Sequence, residues 1–366
     1  MIKIMPYKPE FEEGIKALCR IPVSGNISLA LEREPSYLKG AHIQCEKPEI
    51  YVVIDEDTTK VWAVFNVGVR RLWYQNQIVS ARYLCDLRIH PEKQQSSVLY
   101  MIIKKFRELT VEDLLPAQTV VFADNHKMLA IIEKLSQRKK TSRLPHYHFI
   151  GGLVTYMFGF NPQKEKKENL TIRQAKEDDI ETIQAFFDEE SLKTNFYPYY
   201  NFRELDKPYY NELKISDYFL AFDNRKLVGV CGIWNQKEIK QTRILGYSNL
   251  YKLIKPIYNL LAPVVGNIKL PAKGSTLNYL NLHSILIKEN KTVVFQQLLN
   301  HIENGHQKLG FDYMLCCLSE KDPLAQVLNS RRNLRKIKGN YYLVNEGSPI
   351  PEQLNTNEFY LEGSRI

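Results

Sequence analysis

The sequence predicts an α/β (α+β) protein of two tandem domains, each with a mixed, mostly antiparallel sheet flanked by helices. Three observations predict this fold. The chain has 366 residues, enough for two domains of ordinary size. A pattern of strands and helices occurs twice along it. A polar segment without an apolar anchor, residues 161–169 (NPQKEKKEN), separates the two occurrences.

Each half begins with a short strand and an amphipathic helix, in residues 2–18 and 170–187. Acidic residues gather at both predicted helix starts, where they favour the positive end of the helix dipole. A hairpin follows in each half, because polar turn residues separate two apolar runs. The paired runs are 51–54 with 61–67, and 218–222 with 227–233.

A strand, a polar turn and a long helix come next in each half, followed by a further strand and helix. The predicted strand–helix pairs are 82–89 with 98–109 and 119–123 with 127–135 in the first half, and 277–287 with 293–309 and 313–318 with 324–328 in the second. Both halves therefore contain the same elements in the same order.

The spacing between equivalent positions locates an insertion. Ile4 and Ile172 are 168 residues apart, whereas Ile89 and Ile287 are 198 apart. We therefore expect a helical insertion at about 245–275, with its helix broken near Pro256 and Pro263. The predicted domains are residues 1–160 and 170–366, joined by the linker 161–169.

Residues 83–99 (YLCDLRIHPEKQQSSVL) carry the clearest chemical signal. A predicted strand ends in an apolar-x-Pro step, Ile89-His90-Pro91, and a polar turn containing Ser96 and Ser97 then opens a helix. Such a turn binds anions, because main-chain N–H groups and the positive end of the helix dipole point at the ligand. Small residues let the backbone approach a phosphate closely.

This turn, within an element order that occurs twice, resembles the GNAT superfamily of acyl-CoA-dependent N-acyltransferases over nearly the whole chain. The resemblance implies that the first half binds acetyl-CoA or another acyl-CoA. It implies that main-chain groups near Leu87 and Ile89 hold the thioester and that Asn125 contacts pantetheine. The implied pyrophosphate residues are Gln94, Gln95, Ser96, Ser97, Val98 and Leu99.

The sequence departs from the family pattern at several positions. Ser97 and Leu99 stand where family members have Gly and Gly or Ala, and Ile132 replaces a Tyr that commonly protonates the leaving thiolate. In the second half, residues 288–294 (KENKTVV) contain neither a Gly nor the apolar-x-Pro step. We therefore expect the second half to be degenerate and not to bind coenzyme A in the usual way.

Acyl transfer to an amine needs a proton acceptor, and two residues are catalytic candidates. Asp86 lies on the predicted central strand, where a buried carboxylate can act as the base. Its alternative role is an ion pair with Arg88 on the same strand face. His90 is the second candidate, and its alternative is an ordinary surface histidine. For Asn125 the alternative is a helix cap.

The predicted function is acyl-CoA-dependent N-acyl transfer, with N-acetyl transfer expected, to a small-molecule or peptide amine. Two alternatives stay open. A FemABX-like transferase would use aminoacyl-tRNA, which suits the net charge of +9. A non-catalytic acyl-CoA-binding protein would explain Ile132 and the missing glycines.

We expect no DNA partner, and no membrane partner because residues 250–265 carry few charges. A cytoplasmic location is predicted, since residues 1–10 contain no apolar signal segment. No metal site is predicted, because His146 and His148 have no further ligand type nearby.

The aromatic run 195–200 (NFYPYY) lines a cleft or packs in the core. The basic run 330–338 (SRRNLRKIK) is predicted as a turn between a strand and a helix.

Overall fold

The computed structural model describes residues 1–23, 27–94, 96–111, 113, 115–136, 145–162, 170–262, 268–306, 309–331, 333–345 and 359–366. In the first half the strands are β1 (Ile2–Pro6), β2 (Ile27–Glu32), β3 (Ile50–Asp55), β4 (Val61–Tyr74), β5 (Gln77–Ile89), β6 (Ala117–Phe122) and β7 (His146–Phe158). The helices of this half are α1 (Glu12–Cys19), α2 (Tyr37–Gln44), α3 (Val98–Thr110) and α4 (His126–Ser136).

The second half follows a similar order, but it has no counterpart of β2 and α2 and it has one addition. Its strands are β8 (Leu170–Gln174), β9 (Tyr218–Asp223), β10 (Lys226–Trp234), β11 (Gln241–Tyr247), β12 (Tyr279–Ile287), β13 (Tyr313–Ser319) and β14 (Arg335–Asn345). Its helices are α5 (Ile180–Glu190), α6 (Asn249–Leu261), α7 (Thr292–His306) and α8 (Ala325–Asn329). The addition is β11 with α6, which lies in the predicted insertion.

The two halves share one twelve-stranded sheet, in the order β1-β3-β4-β5-β6-β14-β7-β13-β12-β10-β9-β8. They exchange their last strands: β14 pairs with β6 of the first half, and β7 pairs with β13 of the second. The exchanged strands also pair with each other, from Arg335 opposite Met157 to Asn345 opposite His146. The sheet is therefore continuous, and the division of the chain at 161–169 stays a prediction.

Both halves carry a β-bulge at the same place in their central strand. The pairing of β5 with β4 shifts by one residue between Val64 and Asn66 of β4, and the bulged residue Asp86 of β5 has a φ of 53°. In β12 the register against β10 shifts in the same way, and Ser284 has a φ of 50°. Asp86 and Ser284 are 198 residues apart, the same spacing that the sequence gives for Ile89 and Ile287. A bulge bends its strand and re-aims the side chains that follow.

Next to each bulge, two parallel strands separate into a wedge. Strands β5 and β6 pair only at Tyr83–Gln118 and Leu84–Thr119. The Thr119 hydroxyl donates to the Leu84 carbonyl at 3.0 Å, at the point where the ladder ends. Strands β12 and β13 likewise pair over three positions, the last being Asn281 with Leu315. Each half therefore has an opening between its two central strands.

The helices that cover the sheet bury one side at helical spacing. Val98, Ile102 and Phe106 of α3 are buried in the first-half core, and Leu298 and Ile302 of α7 are buried in the second. This is the period expected of helices that pack on a sheet. Each such side chain contributes about 1.5–3 kcal/mol by leaving water. Among the described residues, no helix is long and apolar enough to cross a membrane.

A separate two-stranded ladder joins the halves away from the main sheet. Strand β2 of the first half pairs with β11 of the second, from Ile27 opposite Tyr247 to Glu32 opposite Gln241. The Glu32 carboxylate also accepts from the Arg243 side chain at 2.7 Å. The sequence gives no sign of this pairing, which brings two distant segments to one place.

Two local expectations are corrected, and one open alternative is decided. Helix α6 is not broken at Pro256 but continues to Leu261, because the carbonyl that loses its donor belongs to the exposed Lys252 and stays open to solvent. Pro263 lies outside the described residues. Residues 335–338 of the predicted turn instead begin β14. The aromatic run 195–200 packs in the core, where Tyr197 and Tyr200 are almost fully buried.

Candidate active site

The bulge in β5 places Asp86 beside an arginine that sequence reasoning did not consider. Its carboxylate accepts from the Arg33 guanidinium at 3.0 Å, and the two side chains are only 11% and 6% exposed. The alternative pairing with Arg88 is wrong. The bulge inserts one residue into the strand, so positions 86 and 88 no longer alternate as in a regular strand.

The β2–β11 ladder brings Lys240 to the same place. Gln241 is the ladder partner of Glu32, so the next residues outward, Lys240 and Arg33, lie at the same end of the ladder. The Lys240 ammonium donates to the main-chain carbonyl of Ile366. The pKa of Lys240 is lowered to about 7, mainly by burial and also by the positive charge of Arg33, while the charge of Asp86 opposes the shift.

Sequence reasoning missed Lys240 and Arg33, although they lie with the predicted Asp86. Both residues flank strands that pair across about 200 positions of the chain. No motif or period marks them. Only the knowledge that β2 and β11 pair could have identified them.

The predicted thioester region lies along the wedge. Leu87, directly after the bulged residue, is 43% exposed. Ile89 is half-buried and pairs with Ala63 of β4. Its carbonyl accepts from the Gln94 side chain at 3.4 Å. Strand β5 therefore presents an accessible segment beside the wedge.

His90 is built into the turn that follows β5. Its main-chain N–H donates to the Trp62 carbonyl at 2.8 Å, and its ring packs edge-on against the Trp62 indole. The ring Nδ1 accepts from the Glu92 N–H at 3.4 Å. These contacts give His90 a structural role in the turn. Its catalytic role stays a prediction.

The predicted pyrophosphate turn exposes Gln94, Ser96 and Ser97. The Ser96 hydroxyl accepts from the Val98 N–H at 3.3 Å and donates to a main-chain carbonyl at 2.7 Å. The Val98 side chain is fully buried, and Leu99 is half-buried. Gln95 lies outside the described residues. The side chain of Ser97 makes no cap to α3, so it stays available at the helix start.

Two residues behind the wedge take structural roles. The Asn125 side-chain carbonyl accepts from the Met128 N–H at 3.2 Å, which is the helix-cap alternative. Ile132 is buried with Val121 and Tyr342. It fills core space where the family pattern has a tyrosine, so this position supplies no proton donor.

In the second half, the segment 359–366 occupies the equivalent wedge. The N–H of the bulged Ser284 donates to the Glu362 carboxylate at 2.7 Å, and the Tyr197 hydroxyl donates to the Ile285 carbonyl at 3.1 Å. Ile285 is only 4% exposed, whereas Leu87 at the equivalent position is 43% exposed. The second wedge is therefore filled by the chain itself, and the first is open.

A buried charge network holds this segment in place. Glu362 accepts from the hydroxyls of Tyr360 and Ser364, both at 2.9 Å. Arg365 is fully buried and donates to the main-chain carbonyls of Ile43 and Tyr209, both at 2.7 Å. Because Ile43 belongs to α2, Arg365 also ties the segment to the first half.

The described residues contain no group of three His, Cys, Asp or Glu side chains arranged to hold a metal ion. The His146 and His148 rings lie 6.5 Å apart at the start of β7. His148 faces the amide of Asn345 at 3.3 Å.

Comparison with known proteins identifies the fold. No protein-family model matches the sequence, and no curated protein is similar to it. Among solved structures, a Saccharomyces cerevisiae N-myristoyltransferase with bound myristoyl-CoA is similar over 94% of this chain and 83% of its own, with a TM-score of 0.60 and 10% identity. The chain has a GNAT-like fold.

A second solved structure supports the same assignment. A GCN5-related N-acetyltransferase from Anabaena variabilis is similar over 95% of this chain and 73% of its own, with a TM-score of 0.53 and 12% identity. At such low identities the likeness concerns the fold alone. Within this GNAT-like fold, the open wedge beside Asp86 is the candidate active site.

Proposed function

We propose that the protein is an acyl-CoA-dependent N-acyltransferase whose first half binds the acyl-CoA and whose second half completes the acceptor site. The observation that carries the proposal is the contrast between the wedges: Leu87 is 43% exposed, whereas Ile285 is 4% exposed. A thioester arm can pair with main-chain groups along the exposed segment of β5. The solved N-myristoyltransferase, which holds myristoyl-CoA, has the same fold.

The pyrophosphate of the cofactor is proposed to lie on the turn 94–99. Ser97 is exposed at the start of α3, where the main-chain N–H groups of the first turn and the helix dipole favour an anion. Val98 takes part only through its backbone, since its side chain is buried. We propose acetyl as the acyl group, and a primary amine on a small molecule or peptide as the acceptor.

Lys240 is proposed as the proton acceptor. With a pKa of about 7 its amine is partly neutral at physiological pH, and it can take a proton from the acceptor ammonium. The freed amine attacks the thioester carbonyl carbon, so that a C–N bond forms and the C–S bond breaks. Lys240 then returns that proton to the departing thiolate. The attacking nitrogen loses its second proton to the now neutral Lys240 as the amide forms, and Lys240 releases this proton to solvent. Asp86 and Arg33 position this group through their charges.

Calorimetric titration with acetyl-CoA tests the cofactor site. We expect micromolar binding by the wild type and loss of binding in Ser97→Trp, because the indole would fill the turn. Ser80→Trp, at an exposed position on strand β5 away from the turn, is the matched control and should bind normally. Titration with myristoyl-CoA tests the acyl length. Equal binding by both variants would refute the site, and no binding of either thioester to the wild type would refute the function.

A further inference from the structure

Helix α6 turns its apolar side toward solvent. Six leucine and isoleucine side chains recur along it at helical spacing, and each is between 42% and 75% exposed. They are Leu250, Leu253, Ile254, Ile257, Leu260 and Leu261. We call this surface the α6 face. Scattered exposed leucines are ordinary, but a contiguous apolar stripe of this kind marks an interaction site.

The opposite side of α6 is polar and lies toward the protein. Ser248, Lys252, Lys255 and Asn259 line a cleft of about 640 Å³ between the helix and β11. The Asn259 side chain accepts from the Leu270 N–H at 2.7 Å. Such bonds fix the helix, so the orientation of the α6 face is set by specific contacts.

The chain segment that contains α6 has basic residues but no acidic ones. Between Glu238 and Glu289 the chain contains no Asp or Glu. Three lysines in this stretch, Lys252, Lys269 and Lys273, are exposed, and Lys252 and Lys273 both line the cleft beside α6. The charged side chains that this stretch supplies near α6 are therefore all positive, which matches a surface that is apolar inside and anionic outside.

We propose that the α6 face binds a lipid surface that carries anionic headgroups. The helix would lie in the plane of the interface with its leucines and isoleucines among the acyl chains. The exposed lysines behind and beside the helix would attract the anionic headgroups through their charge. A protein partner is less well matched, because the tyrosines of α6, Tyr251 and Tyr258, pack inward and the exposed face has no aromatic anchor. This proposal does not depend on the acyltransferase proposal.

Vesicle sedimentation of the full chain tests the proposal. Wild-type protein should sediment with vesicles of phosphatidylcholine and phosphatidylglycerol, and far less with phosphatidylcholine alone. Replacing both Leu253 and Leu260 by Gln should reduce partitioning at least about tenfold, because two buried leucines are lost. The matched control replaces Leu309 and Val111, which are 61% and 71% exposed elsewhere, and should bind as the wild type does.

A second set of variants tests the charge. Replacing Lys252, Lys269 and Lys273 by Gln should weaken binding about fivefold for each lysine, whereas a control triple variant at exposed lysines of α3 and α4 should not. Circular dichroism verifies that each variant is folded. Equal sedimentation with both vesicle types, or no sedimentation, would overturn the proposal. A dimer in lipid-free solution that the leucine variant converts to monomer would also overturn it, since a second copy would then cover the face.

Discussion

Replacing Lys240 by Met should change how the stability of the protein depends on pH. The pKa of Lys240 is about 7 in the folded chain, against an ordinary value of 10.5. The unfolded chain therefore binds more protons between these values, and stability must rise with pH across this window. Lys240→Met removes that contribution and leaves the other titrating groups in place.

The expected magnitude follows from the shift. The lowered pKa of Lys240 reduces the free energy of unfolding by about 4 kcal/mol at pH 7 and by about 1.5 kcal/mol at pH 9.5. The side chain is partly exposed, which reduces the effect. We expect the wild type to gain about 2 kcal/mol relative to Lys240→Met between pH 7 and 9.5. Urea unfolding at the two pH values measures this difference.

The control and the refuting result are both specific. Lys104→Met, at an exposed position on α3, should follow the wild type at both pH values. If Lys240→Met also follows the wild type, the shifted pKa is wrong and Lys240 loses its proposed role. If the shift is right, the acylation rate at saturating substrates should rise through about pH 7. Lys240→Arg, which stays protonated, should then be slow at every pH.

Two further substitutions test the packing around the wedges. Gly363→Ala should destabilise the fold by about 1–3 kcal/mol, because its new methyl group would collide with the side chain of Cys317. Gly246→Ala is its control, since no described atom lies within 4 Å of the new methyl position; equal thermal shifts would contradict the packing. Arg33→Met should cost about 3 kcal/mol in urea unfolding by leaving the Asp86 carboxylate buried without its partner. Adding Asp86→Asn should restore part of that loss, and no restoration would refute the pairing.

Most of the fold could be predicted because its signals are local. The strand and helix periods of both halves are local signals, and the spacing between equivalent positions, 168 before the insertion and 198 after it, indicates the repeat. The bulges at Asp86 and Ser284 even have the spacing of 198 residues that the apolar positions predict. The exchange of β7 and β14 could not be predicted, because either strand would fit either gap by pattern alone.

Part of the site could also be predicted, because its signals are local in the sequence. Asp86 and the turn at 94–99 belong to one continuous segment, so their order along the chain places them together. Arg33 and Lys240 reach Asp86 only through a ladder between distant strands. The alternative ion pair of Asp86 with Arg88 was wrong, because a bulge has no clear sequence signal at a non-glycine residue. Chemistry that is assembled across the chain requires the structure.

The exchange of β7 and β14 also dictates when the protein can finish folding during its synthesis. The gap between β6 and β7 stays without its middle strand until residues 335–345 leave the ribosome. Until then the first half presents two unpaired strand edges, which are templates for aggregation. The acyl-CoA wedge proposed for the first half borders the same sheet. The first half can therefore complete its sheet only after β14 has been synthesised, and pairing of that strand is a closing step of its assembly.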